Sequence, residues 1–231
     1  MKKFVIFSGA GISAESGIST FRDSGGLWEK YPVEQVATIE GWHQNPQLVI
    51  DFYNQRRKQL ATVTPNDAHK TIAELEKNFH VTVITQNVDD LHERAGSTNV
   101  IHLHGELTKI CSENKKRFVQ DIGYGELKYG EKAPDGSLLR PFIVWFGEAV
   151  PMMEDAIHEV AQADYMVIVG TSLNVYPAAN LYHYASDNAK LWLIDPNETQ
   201  PVGRKINIIK EKATVGMRLL KEELLGNLTS L

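Results

Sequence analysis

The chain has 231 residues, of which 24 are basic and 29 acidic, giving a formal net charge of −5. This length suits one large domain or a domain with an insertion, and a hydrophobic fraction of 42% is enough for a sizeable core. The acidic balance argues against a broad nucleic-acid surface. No stretch approaches the roughly 18 apolar residues of a membrane span, so we expect no membrane partner.

Cysteine usage and the first residues of the chain bear on the compartment. The single cysteine, Cys111, excludes an intramolecular disulfide. The apolar run at residues 4–7 is too short for the core of a signal peptide, and glycines follow it at once. We therefore expect a cytoplasmic protein.

Five short apolar runs predict buried strands, because continuous apolarity indicates that both faces of a sheet are covered. They occupy residues 4–7, 81–84, 166–169, 191–194 and 206–209. Helical patterns lie between them: Asn66 is a suitable N-cap for one helix, and Pro151 is a suitable first residue for another. This alternation predicts an α/β fold with a Rossmann-like, doubly wound parallel sheet.

The alternation fails between about residues 20 and 65 and again between about 109 and 140. We interpret both segments as insertions. The predicted Rossmann-like domain comprises residues 1–30, 75–108 and 140–231. The predicted small domain combines a helical insertion, residues 31–74, with a polar, glycine-punctuated insertion, residues 109–139.

A G-x-G-x-x-A pattern follows the first predicted strand, at Gly9, Gly11 and Ala14. Such glycines let a backbone approach a pyrophosphate, and the N-terminus of the following helix offers unpaired N–H groups. The alternative is an ordinary tight turn. A dehydrogenase would place an acidic residue about 20 positions further on. Here a glycine-rich loop, residues 20–28, follows instead, which indicates a different way of holding a nucleotide.

Polar loops also follow the other predicted strands. Gln86, Asn87 and Asp89 come after the second strand, and residues 170–177 and 195–197 follow two later ones. Ligands of open α/β sheets bind beyond the carboxyl ends of the strands, so these groups are placed to orient a sugar or a carboxamide. Helix capping by Asn87 or Asp89 is the alternative.

His102 and His104 stand two residues apart in a segment expected to be extended, so we predict that both side chains point the same way. A histidine at a strand end is a suitable base for a sugar hydroxyl near neutral pH. A zinc pair is the competing interpretation, but no cysteine or third histidine lies nearby in sequence. We expect His102 to be a hydrogen-bonded core histidine.

Five segments, in order, resemble the sirtuin family: GAGISAESGISTFRDSGGLW, TQNVDDLHERAG, HLHGEL, RPFIVWFGE and GTSLNVYP. Sirtuins are NAD-dependent protein deacylases, and the resemblance extends to the bacterial class III members that remove succinyl and malonyl groups. It implies that the chain transfers an acyl group from lysine to ADP-ribose, releasing nicotinamide and O-acyl-ADP-ribose. NAD would be a consumed co-substrate, the partners would be acyl-lysine proteins or peptides, and the protein would be a monomer.

The resemblance also implies residue roles. His104 would be the catalytic base that takes a proton from a ribose hydroxyl, with Asn87 in the catalytic set. An extended substrate peptide would be clamped by β-augmentation between two segments. These comprise Val144, Trp145, Phe146 and Gly147 on one side, and Asn174 and Val175 on the other. The implied NAD-binding residues are Gly9, Ala10, Gly11, Ala14, Thr20, Phe21, Arg22, Trp28, Gln86, Asn87, Asp89, Gly170, Thr171, Ser172, Asp195, Pro196, Asn197 and Ala213.

The acyl preference depends on a helix predicted to begin near Pro46. At 3.6 residues per turn, Arg56 falls in the middle of an arc otherwise formed by Val49, Phe52, Tyr53 and Leu60. A guanidinium there needs an anionic partner. An internal salt bridge or snorkelling to the surface would satisfy it. Tyr53 and Arg56, however, match the YxxR pair with which class III sirtuins bind the acyl carboxylate.

The chain departs from the family pattern in one respect. Sirtuins usually carry a four-cysteine zinc ribbon in the second insertion, whereas this chain has only Cys111 there. Because a structural zinc site needs four ligands, we expect no metal, and an insertion that is either held by packing or mobile.

Two further functions remain as alternatives to deacylation. Mono-ADP-ribosyl transfer would share the first step and use another nucleophile. A non-catalytic NAD or ADP-ribose sensor would have no need of the base His104.

Overall fold

The computed structural model describes residues 1–18, 30–114, 118–197, 201 and 203–228, with side chains up to residue 226. The strands are β1 (Lys3–Ser8), β2 (His80–Thr85), β3 (Val100–His102), β4 (Gly105–Ser112), β5 (Val119–Asp121), β6 (Leu139–Ile143), β7 (Tyr165–Val169), β8 (Lys190–Ile194) and β9 (Asn207–Ile209). The α-helices are α1 (Gly11–Ala14), α2 (Val33–Val36), α3 (Ile39–Gln44), α4 (Pro46–Thr62), α5 (Asp67–Leu75), α6 (Leu91–Ala95), α7 (Met153–Ala161) and α8 (Ala213–Leu228). A 3₁₀ helix spans Ala178–Tyr184.

The main sheet has six parallel strands in the order β3-β2-β1-β7-β8-β9. All five predicted strands belong to it, so the predicted doubly wound α/β fold is confirmed. The sixth strand, β3, has only three residues and was not among the five apolar runs, although the segment around His102 was expected to be extended. Strand order reverses between β1 and β7, and a crevice at such a switch point is where ligands bind in these folds.

Both faces of the main sheet are covered. On one face Phe4 and Ile6 of β1 pack with apolar residues of α5 and α8. On the other face Val5 and Phe7 pack with α7 and the 3₁₀ helix. Successive residues of a strand point to opposite faces, so a run that is apolar throughout requires this double cover.

The helices begin where their capping residues predict, with one exception. The Asn66 side chain accepts the backbone N–H of Ala68, and His69 completes a capping box at the start of α5. Pro46 is the first residue of α4, after the N-cap Asn45. Helix α7 begins at Met153 rather than at Pro151.

A third apolar cluster joins α2, α3 and α4 to an antiparallel sheet of order β5-β4-β6. The division into two domains stays a prediction. The packing of two elements differs from its predicted boundaries. Helix α5 packs on the main sheet, although the predicted boundary at residue 74 separates most of this helix from it. Strands β4 and β6 pair with each other, although residues 105–108 and 140–143 had been assigned to the larger domain.

Helix α4 holds the second insertion. Asn54 donates to the backbone oxygen of Leu127 and accepts the Leu127 N–H, at 2.9 and 3.1 Å. Arg57 is fully buried and donates to the backbone oxygens of Gly125 and Leu107, at 3.0 and 3.1 Å. For the described residues, these bonds support the first of the two expectations, an insertion held by packing.

In the described part of the chain, no three His, Cys, Asp or Glu side chains are grouped so as to hold a metal ion. None of its helices combines the length and the apolarity needed to cross a membrane.

Candidate active site

A cleft of about 960 Å³ opens at the carboxyl ends of β1, β2, β7 and β8. We call one side the sheet wall: residues 9–11, 86–89 and 170–172, with His104, Asp195 and Asn197. We call the opposite side the helix wall: Tyr53 and Arg56 of α4 with residues 143–148. The cleft therefore lies between the main sheet and the smaller antiparallel sheet.

Most predicted site residues line this cleft. Those brought together are Gly9, Ala10, Gly11, Tyr53, Arg56, Gln86, Asn87, Asp89, His104, Val144, Trp145, Phe146, Gly147, Gly170, Thr171, Ser172, Asn174, Val175, Asp195 and Asn197. Three others are not among the cleft residues of the described chain: Ala14 and Pro196 are exposed elsewhere, and Ala213 is buried at the start of α8. Thr20, Phe21, Arg22 and Trp28 lie outside the described residues.

The glycines after β1 serve a contact between two loops. A Cβ on Gly9 would lie 2.8 Å from the backbone oxygen of Gly170, and one on Gly11 would lie 2.8 Å from the Gly170 Cα. The Gly9 and Gly11 N–H groups donate to Val169 and Gly170, and those of Ile12 and Ser13 donate to Gly9 and Ala10. The expectation of unpaired N–H groups at the N-terminus of α1 is therefore wrong for residues 11–13. The close approach of the two loops uses the Gly9 and Gly11 donors, and the turn into α1 uses the other two.

A buried hydrogen-bond network orients the loop after β2. The Ser13 hydroxyl donates to Asp89 at 2.9 Å and accepts the side-chain N–H of Asn87 at 3.0 Å. Asp89 also accepts the Leu91 backbone N–H, while burial raises the pKa of its carboxyl group above the ordinary value. Because the Asn87 amide nitrogen faces Ser13, the amide oxygen is the group left to accept a bond from a ligand.

His104 is held in one tautomer. Its Nδ1 lies 3.0 Å from the backbone oxygen of Gln86, so Nδ1 carries the hydrogen and Nε2 is the basic atom. Burial lowers the pKa of His104, which keeps the ring neutral at physiological pH. The Gln86 side chain in turn donates to Thr171 at 3.1 Å, linking the loops after β2 and β7. The arrangement provides a fixed, uncharged base on the sheet wall.

His102 and His104 have different partners, and the extended segment on which the prediction of a shared direction was based does not reach His104. Strand β3 ends at His102, and His104 lies in the turn that follows. As expected, His102 is a hydrogen-bonded histidine with two internal partners, the Asn87 backbone oxygen at 3.1 Å and Glu93 at 2.7 Å. His104 alone of the two lines the cleft.

Tyr53 and Arg56 lie one turn apart on α4, and both face the cleft. Tyr53 is 2% exposed and Arg56 is half-buried. Burial lowers the pKa of the Arg56 guanidinium, and electrostatic interactions with Tyr53 and Asp89 oppose that change. Of these two neighbouring arginines of α4, Arg57 is the one that lies wholly inside the protein.

Much of the backbone of the segment expected to clamp a peptide is already bonded. The Phe146 N–H donates to the Ala37 oxygen, and the Phe146 oxygen accepts the Ile39 N–H. The Val144 N–H donates to His104, and the Trp145 oxygen accepts the Glu148 N–H. A peptide that pairs with this segment would therefore use Gly147 or the Val144 oxygen.

Some cleft residues were missed by the sequence analysis. Ser13 lies in α1 and faces the cleft. Its place inside the G-x-G-x-x-A motif was the signal that the sequence offered. Others carry no motif and reach the cleft only through the tertiary fold: Val33, Ala37, Tyr182 and His183.

Comparisons with known proteins agree with this geometry. A model of the Sir2 family matches residues 9–177. An NAD-dependent protein deacylase of Bacteroides thetaiotaomicron is 58% identical over 97% of this chain and 99% of its own length. One from Helicobacter pylori is 53% identical, over 97% of this chain and 98% of its own length.

Solved structures give the same result. A Sir2 homologue in complex with NAD has a TM-score of 0.88 at 38% identity, over 98% of this chain and 91% of the other. A mutant Sir2 homologue in complex with ADP-ribose also has a TM-score of 0.88 at 38% identity, over 99% and 94%.

Proposed function

The chain belongs to the Sir2 family, and from this premise we propose that it is an NAD-dependent protein-lysine deacylase that prefers acidic acyl groups. The observation that carries the proposal is one cleft with a neutral, oriented His104 on the sheet wall and an arginine–tyrosine pair on the helix wall. The deacylase activity is the one that the relatives' names give, NAD-dependent protein deacylase. The acyl preference goes further and depends on Tyr53 and Arg56.

The residues present fit NAD. A cleft of about 960 Å³ lies at the upper end of the usual range for small-molecule sites, roughly 300–1,000 Å³. The ribose and carboxamide groups of NAD need hydrogen-bonding partners, which Gln86, Asn87, Asp89 and Asp195 can provide. When bound, NAD supplies an ADP-ribosyl group that takes up the acyl group and a nicotinamide that leaves.

His104 removes a proton in this scheme. A ribose hydroxyl becomes a nucleophile when a nearby base accepts its hydrogen, and Nε2 of His104 is the atom available for that transfer. The Gln86 oxygen stabilises the imidazolium that forms, because it accepts the Nδ1–H. The amide oxygen of Asn87, fixed through Ser13, is suited to orient a hydroxyl group or a water molecule.

Tyr53 and Arg56 select the acyl group. A succinyl or malonyl chain ends in a carboxylate, for which a guanidinium and a phenol hydroxyl are complementary donors. The alternative, an internal partner for Arg56, stays open because Asp89 also acts on its charge. The two interpretations differ in their consequences, since an internal pair gives no acyl selectivity.

Acyl-lysine proteins or peptides are the partners we propose, and extended peptides would lie between residues 144–147 and 174–175. We place the protein in the cytoplasm because its one cysteine suits a reducing compartment. The monomeric state and the absence of nucleic-acid and membrane partners stay predictions.

The test is to incubate the protein with NAD and two peptides that differ only in carrying acetyl- or succinyl-lysine. We expect nicotinamide, free lysine peptide and O-acyl-ADP-ribose, with succinyl peptide consumed faster at limiting concentration. ADP-ribose attached to protein or peptide, detected by mass spectrometry, would indicate mono-ADP-ribosyl transfer. Tight NAD binding without nicotinamide release would indicate a sensor. Equal consumption of both peptides would leave a deacylase without the acidic preference.

A further inference from the structure

An ion pair joins Glu148 of the helix wall to the buried Arg140 of β6. Nη1 and Nη2 of Arg140 donate to the two carboxylate oxygens of Glu148, each at 2.9 Å, and Nη2 also donates to the Ile143 oxygen at 2.8 Å. Arg140 is 2% exposed. A bidentate pair of this kind fixes both side chains in one orientation.

The ion pair holds Trp145 in place. The Arg140 guanidinium carbon lies 3.5 Å from the centroid of the indole ring, and Glu148 accepts the Trp145 backbone N–H at 2.8 Å. Trp42 stacks near the same ring, with centroids 5.5 Å apart and planes 30° apart. The indole is therefore fixed both by its backbone and by its ring.

Trp145 in turn fixes Tyr53. The indole N–H donates to the Tyr53 hydroxyl oxygen at 3.1 Å. A hydroxyl oxygen that accepts this bond still has its own hydrogen to donate. Burial raises the pKa of Tyr53 to about 12, so the hydroxyl keeps that hydrogen at neutral pH. A guanidinium carries only donors, so Arg56 cannot accept the Tyr53 hydrogen, and an oxygen of a ligand in the cleft is the suitable recipient.

We propose that Arg140, Glu148 and Trp145 are positioning residues for acyl selectivity: the ion pair fixes the indole, and the indole N–H turns the Tyr53 hydroxyl towards an acyl carboxylate. This inference rests on the proposed function, in which Tyr53 and Arg56 bind that carboxylate. Selectivity would then depend on residues that do not touch the acyl group.

The test is Trp145→Phe, which keeps an aromatic ring and removes the N–H donor. We expect the ratio of kcat/KM for succinyl peptide to kcat/KM for acetyl peptide to fall about three- to tenfold, mainly through the KM for succinyl peptide. In a Tyr53→Phe background, which has no hydroxyl to orient, Trp145→Phe should leave the ratio unchanged. A residue that merely supported the fold would lower both kcat/KM values together.

Arg140→Lys tests the ion pair, because lysine keeps the charge but loses the bidentate bond and the flat face on the indole. We expect the same fall in the ratio. If this variant does not fold, Trp145→Phe decides the question alone.

The wild-type protein separates the two levels of the proposal. If wild type shows no preference for succinyl peptide, the proposed acyl preference fails, and this inference fails with it. If wild type is selective and Trp145→Phe keeps the ratio, or lowers it equally with and without the Tyr53 hydroxyl, only the inference is overturned.

Discussion

The two walls of the cleft are built differently. On the sheet wall, loops that follow parallel strands carry amide, hydroxyl and imidazole groups, and hydrogen bonds between neighbouring loops fix them, as in Gln86 to Thr171. On the helix wall, one turn of α4 packs against an aromatic side chain, Trp145, which is backed by the Arg140–Glu148 pair. In our proposal, chemistry and acyl choice therefore lie on separate elements, and a substitution should change one without the other.

The largest effect should come from the sheet wall. We expect His104→Ala to lower turnover by roughly 10²-fold or more with either acyl peptide, because the base is lost. NAD binding, measured by calorimetry, should remain. His102→Gln is the control: with its partners inside the protein, His102 should affect stability more than turnover. A near wild-type deacylation rate in His104→Ala would show that the base is elsewhere.

Among these variants, Arg57→Met should lower the stability of the fold most. It leaves the Gly125 and Leu107 oxygens without their donor, and we expect a loss of about 2–4 kcal/mol in the free energy of unfolding. Denaturant titration measures this loss. The next residue on the helix, Lys58, is exposed, so Lys58→Met should change stability little. If Arg57→Met is as stable as wild type, these bonds do not hold the insertion.

Arg56→Met tests the same helix one position earlier. We expect the KM for succinyl peptide to rise roughly tenfold or more, since a charge-assisted hydrogen bond contributes about 1.5–3 kcal/mol. The loss with acetyl peptide should be much smaller, and Tyr53→Phe should act in the same direction more weakly. Equal losses for both peptides would mean that Arg56 supports the fold rather than selecting the substrate.

Metal removal should have no effect. One cysteine cannot supply a closed ligand set, so we expect purified protein without stoichiometric zinc and activity that survives a chelator. A four-cysteine zinc-ribbon protein treated in parallel shows that the chelator works. One zinc per chain by elemental analysis, lost together with activity, would contradict this prediction.

The two walls also differ in how much of their structure could be predicted from the sequence. The sheet wall could be predicted because apolar strand runs have a clear pattern and the loops after them share one edge of the sheet. The same pattern fails for the β4-β5-β6 sheet, whose segment has no regular apolar period. The roles of the glycines depend on the Gly170 loop, which is about 160 residues away in sequence and could not be placed beside them.

The helix wall shows a different limit. Helical periodicity placed Tyr53 and Arg56 on one arc, but it could not show that Arg57, and not Arg56, is fully buried. Arg57 donates to backbone oxygens of β4 and of the second insertion, and no side-chain pattern predicts such acceptors. The Trp145–Tyr53 bond likewise joins residues 92 positions apart.

The central claim is that the helix wall recognises an acyl carboxylate while the sheet wall performs the chemistry. The most direct measurement is a competition between succinyl-lysine peptide and its succinamoyl counterpart, in which an amide of nearly equal size replaces the carboxylate. We predict that wild type consumes the carboxylate peptide about tenfold faster and that Arg56→Met consumes both at similar rates. Equal consumption of the two peptides by wild type would contradict the account.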